Sequence, residues 1–310
     1  MTPEAPAEYR SQVRKPADFD RFWEDVLRQA AAVPLDTEIV PEPLRTSEEI
    51  EVFQVFYTSI DHVRLAAWYC RPTRREAQTP ALLFLPGYQM DPPIPKEWAR
   101  RGYSVLSVAP RGKLRSKAQF NPGYPNLLTT NIVDRHTYAY RGFYVDAWRG
   151  IDVLLAQAEV DPARIGVMGS SQGGGLTITT AAMRPEVRAA SAGAPYLCGF
   201  IDAIALTHTY PYEEINDYLR LHPESRQAVE ETLAYFDGIS FADRITCPII
   251  MNLGLQDNVC PPETGYALFR QLQTPDKQLY TYDGHGHDAG RQQHGAIIAQ
   301  FFAQHLGGER

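Results

Sequence analysis

The stretch Gly169-Ser170-Ser171-Gln172-Gly173 joins an apolar run, "RIGVM" (164–168), to a Gly-, Thr- and Ala-rich run, "GGLTITTAAM" (174–183). A short apolar run that stops at Gly-Ser and is followed at once by a helix-compatible run reads as strand, tight turn, helix. Outward from this point the same rhythm repeats. "ALLFLPG" (81–87), "YSVLSVAP" (103–110), "PIIMNLGLQD" (248–257) and "KQLYTYDG" (277–284) are short apolar runs ending in Gly, Pro or Asp. Helical patterns separate them: "PKEWARRG" (95–102), "YVDAWRGIDVLLAQ" (144–157), "GYALFRQL" (265–272) and "GAIIAQFFAQHL" (295–306). Strand alternating with helix predicts an α/β fold: a mostly parallel, twisted sheet with helices on both faces.

Three segments fall outside that rhythm. Residues 18–32 place Phe19, Phe22, Trp23, Val26 and Leu27 at helical spacing, which predicts an amphipathic helix packed on the body. "EVFQVFYTSI" (51–60) and "VRLAAWYCRP" (63–72) flank a turn at Asp61-His62 and read as an antiparallel hairpin. Residues about 198–240 look helical, "PESRQAVEETLAYF" (223–236) most clearly, and are expected to form an insertion near the strand ends. The expectation is one domain over 1–310, with a helical extension at 1–35.

Bulk properties narrow the function classes. With 310 residues, 44% hydrophobic and 22% charged, the chain can bury a sizeable core. A net charge of -7 and the lack of a basic block argue against nucleic acid as the main partner. Cys70, Cys198, Cys247 and Cys260 are scattered, so buried, reduced thiols are expected. The polar start "MTPEAPAEYRSQ" does not resemble a signal peptide, and no apolar run approaches the roughly 20 residues that span a bilayer. A cytoplasmic protein without a membrane partner is expected.

The turn also carries chemistry. In open parallel sheets, ligand sites gather at the carboxyl ends of strands. A G-x-S-x-G placed between strand and helix is the signature of a nucleophile on a sharp bend. Side chains two residues either side of the serine would collide with neighbouring backbone, so glycine is needed at both. Gly169 and Gly173 stand at those offsets from Ser171; Ser170 would need glycine where Met168 and Gln172 stand. A nucleophilic serine needs a base and an acid to orient it, in the chain order Ser, Asp, His for this architecture. Asp257, at the end of "PIIMNLGLQD", supplies the acid; Asp243 and Asp283 follow a buried strand less directly. "DGHGHDAG" (283–290) supplies His285 and His287, of which His287 lies deeper in the loop and is preferred. His136, His208, His222 and His294 are read as surface or structural. "HGHD" has a metal-like spacing but no third ligand cluster, so no metal and no cofactor is expected. Two backbone N–H groups should bind an oxyanion: that of Gln172, and that of Tyr88 after the turn at Gly87.

On these residues the chain resembles the acetyl xylan esterase and cephalosporin C deacetylase family, within the α/β-hydrolase fold. "KPADFDRFWEDVL", "YRGFYVDAWRGIDVL", "DPARIGVMGSSQGGGL", "AGAPYLCGF", "YFDGISFADRITCPIIMNLGLQDNVCPPET" and "GHGHDAG" carry the likeness along nearly the whole chain. The resemblance implies a triad of Ser171, Asp257 and His287, oxyanion donors at Tyr88 and Gln172, and hydrolysis of small esters, acetyl first, of a sugar or cephalosporin-like alcohol. It also implies a homo-hexamer. Two departures stand out. The family's Arg-Gly-Gln is here Arg111-Gly112-Lys113, and the loop after Tyr88 runs Gln89-Met90-Asp91-Pro92-Pro93. Arg111 and Lys113 are expected to line the substrate pocket, with Lys113 favouring anionic substrates. The competing readings are another hydrolase on the same fold, acting on thioesters or acyl-peptides, and a non-catalytic binding protein.

Overall fold

Apolar residues along each central strand point alternately to the two sides of the sheet, so each side needs its own cover. The computed structural model describes residues 4–74 and 78–307; the ends of the expected 1–310 domain and residues 75–77 lie outside them. Among the described residues one sheet contains β1 (Glu38–Pro41), β2 (Ile50–Thr58), β3 (Arg64–Pro72), β4 (Thr79–Leu85), β5 (Ser104–Ala109), β6 (Val160–Ser170), β7 (Val187–Gly193), β8 (Ile249–Gly254) and β9 (Lys277–Tyr282). The helices are α1 (Glu4–Glu8), α2 (Phe19–Ala31), α3 (Lys96–Arg100), α4 (Ala139–Leu155), α5 (Gln172–Met183), α6 (Phe200–Leu206), α7 (Glu213–Leu221), α8 (Arg226–Phe236), α9 (Gly238–Phe241), α10 (Pro262–Gln271) and α11 (Arg291–Leu306). The strand order is β1-β2-β3-β5-β4-β6-β7-β8-β9. β1, β2 and β3 pair antiparallel, as does β3 with β5; every pairing from β5 through β9 is parallel.

The two covers follow from the period of two. On β4, Ala81, Leu83 and Leu85 enter the larger core, and Leu82 enters a second core behind it. On β5, Leu106 and Val108 face the first and Val105 the second. The larger core holds α2, α4 and α5; the second is closed by Trp98 of α3 and by Phe301, Phe302 and Leu306 of α11.

The amphipathic helix read at 18–32 is α2, with Phe19, Phe22, Trp23 and Val26 buried. Trp23 is fully buried beside Trp148, Phe236 and Phe241, and its Nε1 donates to the Tyr235 carbonyl at 2.8 Å. The N-terminal segment is thereby fastened to α8. Residues 198–240 are helical as expected, forming α6 to α9. Two strands were not legible. β7, "VRAASAG", is built of small residues without β-branched character beyond Val187; it is a strand because β6 and β8 pair with it on both sides. β1 is exposed along its whole length and ends in Pro41, as suits an edge strand.

Candidate active site

Glycine at 169 and 173 is a packing requirement here. A Cβ on Gly173 would lie 2.0 Å from the Leu85 carbonyl oxygen, and one on Gly169 would lie 2.6 Å from both that oxygen and the Gly173 carbonyl. These are backbone atoms and cannot yield. The bend between β6 and α5 is so tight that Ser171 has φ 59° and ψ -122°, a strained conformation for a residue with a Cβ. Its N–H donates to the Gly193 carbonyl at 2.9 Å and its carbonyl accepts from Tyr196 at 3.0 Å. Ser171 stands at the N-cap of α5, but its hydroxyl makes no capping bond. The positive end of the helix therefore faces a hydroxyl that is not spent on the helix's own N–H groups. Ser170 points elsewhere: its Oγ lies near Gly193, on the side where the Asn252 carboxamide also sits.

Asp257 follows β8 and is buried. Its Oδ1 accepts from the N–H groups of Val259 (2.8 Å) and Cys260 (2.9 Å), and its Oδ2 lies 2.8 Å from His287 Nδ1. The carboxylate is fixed from one side and holds the imidazole with the other. The Cys260 thiol is pushed well above its ordinary range by burial and then by the Asp257 charge; a hydrogen bond with Ser171 opposes both. That thiol touches Ser171, and one ligand-type atom each from Asp257, Cys260 and His287 lie within 4.8 Å of one another. Ser171, Asp257 and His287 thus converge on one corner of the sheet's carboxyl edge. In that corner the Asp257 and His287 atoms are occupied by each other.

The remaining candidates sort by partner. His285 pairs with Asp288 at 2.7 Å. Asp283 accepts from Gln256, and Asp243 pairs with Lys15 at 2.8 Å. His294, expected at the surface or in a structural role, is buried against Tyr282 (2.9 Å), and burial pushes its imidazole down to about 4. The loop carrying His287 is pinned by residues that sequence reasoning missed. Asn252 Nδ2 donates to the Ala289 carbonyl at 2.7 Å, and Gln256 N to the His285 carbonyl at 2.9 Å. Gly254 lets the loop pass over the end of β8, since a Cβ there would sit 2.0 Å from the Gly286 oxygen.

The two expected oxyanion donors flank the bend. Gln172 opens α5, and the first N–H groups of a helix have no intrahelical acceptor. Its side chain is turned away, donating to the Tyr140 hydroxyl at 2.9 Å. Tyr88 follows β4, whose last carbonyl abuts Gly169 and Gly173, and Gly87 lies beside the Ser170 carbonyl. The Tyr88 hydroxyl donates to Glu214 Oε1 at 2.6 Å, and Glu214 also accepts from the N–H groups of Asn126 (3.0 Å) and Leu128 (3.1 Å). Burial raises the Glu214 carboxyl above its usual range, and these hydrogen bonds oppose the rise. α7 is tied in this way to the loop beside Ser171. A cavity of about 470 Å³ opens next to it, walled by Tyr88, Met90, Lys113, Asn121 and Tyr124 among others; Ser171 and His287 are not among its walls.

One expectation is corrected. Arg111 was read as a substrate contact, but its guanidinium is buried and spent on the protein: Asp146 through Nε and Nη2 (2.9 and 3.0 Å), Asp61 (3.1 Å) and the Ile60 carbonyl (3.0 Å). Lys113, expected as a pocket cation, lines the cavity beside Tyr88 and is 6% exposed, with Nζ donating to the Gly87 carbonyl at 2.7 Å and to the Tyr88 carbonyl. The chain dips inward after β5, and the ammonium finds backbone dipoles in place of solvent.

Comparison with known proteins agrees with this architecture. The profile of the acetyl xylan esterase (AXE1) family matches residues 2–305. The acetyl esterase Axe7A of Xylanibacter ruminicola is 28% identical over 295 residues, which are 89% of this chain and 65% of that protein. The chain thus spans slightly under two thirds of that curated relative. An acetyl xylan esterase from Paenibacillus sp. superposes with a TM-score of 0.90 at 31% identity, covering 99% of this chain and 100% of that one. Acetyl xylan esterase 1 from Thermoanaerobacterium sp. gives 0.88 at 28% identity, covering 98% of each.

Proposed function

The chain belongs to the acetyl xylan esterase family, with an α/β-hydrolase fold, and from that premise we propose that it is a serine-type carboxylic ester hydrolase that removes acetyl groups from an oxygenated alcohol. The observation that carries the proposal is the strained Ser171, its hydroxyl free of the helix cap, in one corner with the 2.8 Å pair of His287 and Asp257.

The steps follow from that placement. Ser171 Oγ attacks the ester carbonyl while His287 Nε2 takes its proton. Asp257 holds the other ring nitrogen protonated and stabilises the imidazolium. The N–H groups of Tyr88 and Gln172 receive the oxyanion of the tetrahedral intermediate, each such donor being worth about 3–4 kcal/mol. The intermediate collapses, His287 returns the proton to the departing alkoxide, and an acetyl-enzyme remains. Water activated by His287 repeats the sequence and releases acetate. The residues need no bound cofactor for any of these steps.

The finer expectations belong to the same proposal. Deacetylation of a sugar or a cephalosporin-type alcohol and a hexameric assembly rest on the family resemblance. A reducing, cytoplasmic setting is supported by the four buried free thiols. Among the described residues no helix is long and apolar enough to cross a membrane. The test is hydrolysis of acetyl, butyryl and octanoyl p-nitrophenyl esters beside acetylated xylo-oligosaccharides, with Ser171→Ala as control. Acetyl preference and acetate release from the oligosaccharide are expected. A preference for octanoyl, or turnover by Ser171→Ala, contradicts the proposal.

A further inference from the structure

We propose that Lys113 is a positioning residue that aims and polarises the Gly87–Tyr88 peptide, so that the Tyr88 N–H becomes a stronger oxyanion donor. The inference rests on the reading of Ser171 as the nucleophile. It goes beyond that reading by assigning work to a buried cation outside the triad.

The carbonyl of Gly87 and the N–H of Tyr88 belong to one peptide group. In a trans peptide they point in opposite directions from a rigid plane, so whatever anchors the carbonyl also aims the N–H. Lys113 Nζ donates to that carbonyl at 2.7 Å, and Met90 N donates to it at 3.3 Å. A second bond from Nζ goes to the Tyr88 carbonyl, at the next peptide. The ammonium therefore grips the loop on both sides of the Tyr88 Cα. Rotating the 87–88 peptide would strip acceptors from a buried charge, which is costly. That makes the donor rigid before any ester arrives, as oxyanion stabilisation requires.

The bond also acts electronically. A hydrogen bond to a charged donor is about twice as strong as a neutral one, and it polarises the group that accepts it. Charge drawn toward the Gly87 oxygen leaves the Tyr88 N–H more positive. The benefit is larger in the transition state, where that N–H meets a full negative charge, than with the neutral ester. The effect should therefore fall on kcat and leave KM nearly alone.

The grip is itself braced. Arg111, two residues earlier, is locked to Asp146 by paired bonds of 2.9 and 3.0 Å. Gly112 turns with φ +82°, and its N–H donates to the Ser116 carbonyl at 3.1 Å, while Ser116 N donates back to the Lys113 carbonyl at 2.7 Å. The Ser116 hydroxyl donates to the Ala109 carbonyl at 2.6 Å, the end of β5. Lys113 thus projects from a short knotted turn with little freedom to leave its carbonyls for a passing substrate anion.

The test uses Lys113→Met, which removes the donor and keeps an unbranched stem out to Cε, with Lys113→Gln as a neutral donor and Lys113→Arg as a charged rescue. Kinetics on p-nitrophenyl acetate are read per active site, counted by the acylation burst. Affinity is measured in parallel for a trifluoromethyl ketone, which forms a tetrahedral oxyanion on the serine. For Lys113→Met, kcat should fall about 30-fold, the scale of one hydrogen bond to a charged group. KM should stay within about twofold, and ketone affinity should drop by the same factor as kcat/KM. Lys113→Arg should recover more of the loss than Lys113→Gln. A Lys113→Met enzyme with kcat per site within about threefold of the parent overturns the inference. So does a loss of kcat with ketone affinity unchanged. Neither result touches the assignment of the nucleophile, which fails separately if Ser171→Ala still turns over.

Discussion

Asp257→Asn isolates what the buried carboxylate does. In the parent, Oδ1 is committed to the N–H groups of Val259 (2.8 Å) and Cys260 (2.9 Å), while Oδ2 faces His287 Nδ1 at 2.8 Å. An amide has one acceptor oxygen and one donor nitrogen. Its oxygen must stay on the two backbone N–H groups, since the alternative orientation sets donor against two donors. The amide NH2 then faces His287 Nδ1 and forces it to accept. The single ring proton moves to Nε2, and the nitrogen that should take the Ser171 proton already carries one. Shape and both backbone bonds survive, so Tm should move by no more than a few degrees. The tautomer is wrong, and the loss in kcat should be about 10⁴-fold, as for a triad carboxylate exchanged for its amide elsewhere. At 1.36 kcal/mol per tenfold this is about 5 kcal/mol of barrier. The assay is p-nitrophenyl acetate hydrolysis near pH 7.5, with the folded fraction fixed by circular dichroism. A folded Asp257→Asn enzyme within about tenfold of the parent kcat refutes the tautomer argument.

Three further outcomes follow from the packing and the charges. Gly173→Ala puts a methyl 2.0 Å from the Leu85 oxygen; the bend must open, costing about 3 kcal/mol or more of stability and nearly all activity, checked by urea titration and burst amplitude. Trp23→Ala empties a fully buried site that touches Trp148, Phe236 and Phe241, and should cost about 3–5 kcal/mol in the same titration while leaving kcat of the folded protein within about twofold. Burial lowers the Lys113 ammonium to about 8, with the Asp91 charge pulling it back up. The charged form exists below that value and is lost as pH rises through it. Parent kcat should therefore decline above about pH 8, and the decline should be absent from the pH profile of Lys113→Met.

What the sequence disclosed was whatever depends on local period or local backbone collision. The central strands are legible as short continuous apolar runs, because both of their faces are buried, and α2 is legible because its buried residues repeat at helical spacing. That Ser171 and not Ser170 sits at the bend is legible because the glycine offsets are a matter of four consecutive residue steps. β7 was hidden because "VRAASAG" carries no strand chemistry of its own; two neighbours impose it. Arg111 was misread, and the backbone partners of Lys113 were hidden, for a related reason. Their partners lie 35 and 26 residues away, and a charged side chain near a strand end looks the same in sequence whether it faces substrate or its own backbone. Asn252 and Gly254 were invisible because the His287 loop they hold meets them only in the folded chain.

The account stands on Ser171 as the atom that becomes acylated. Treatment with a fluorophosphonate followed by peptide mapping measures this directly. One phosphonyl group on Ser171, absent from Ser171→Ala with no new site labelled, is the predicted result. Label on Ser170, or a Ser171→Ala protein that still takes up the probe and hydrolyses acetyl esters, would contradict it.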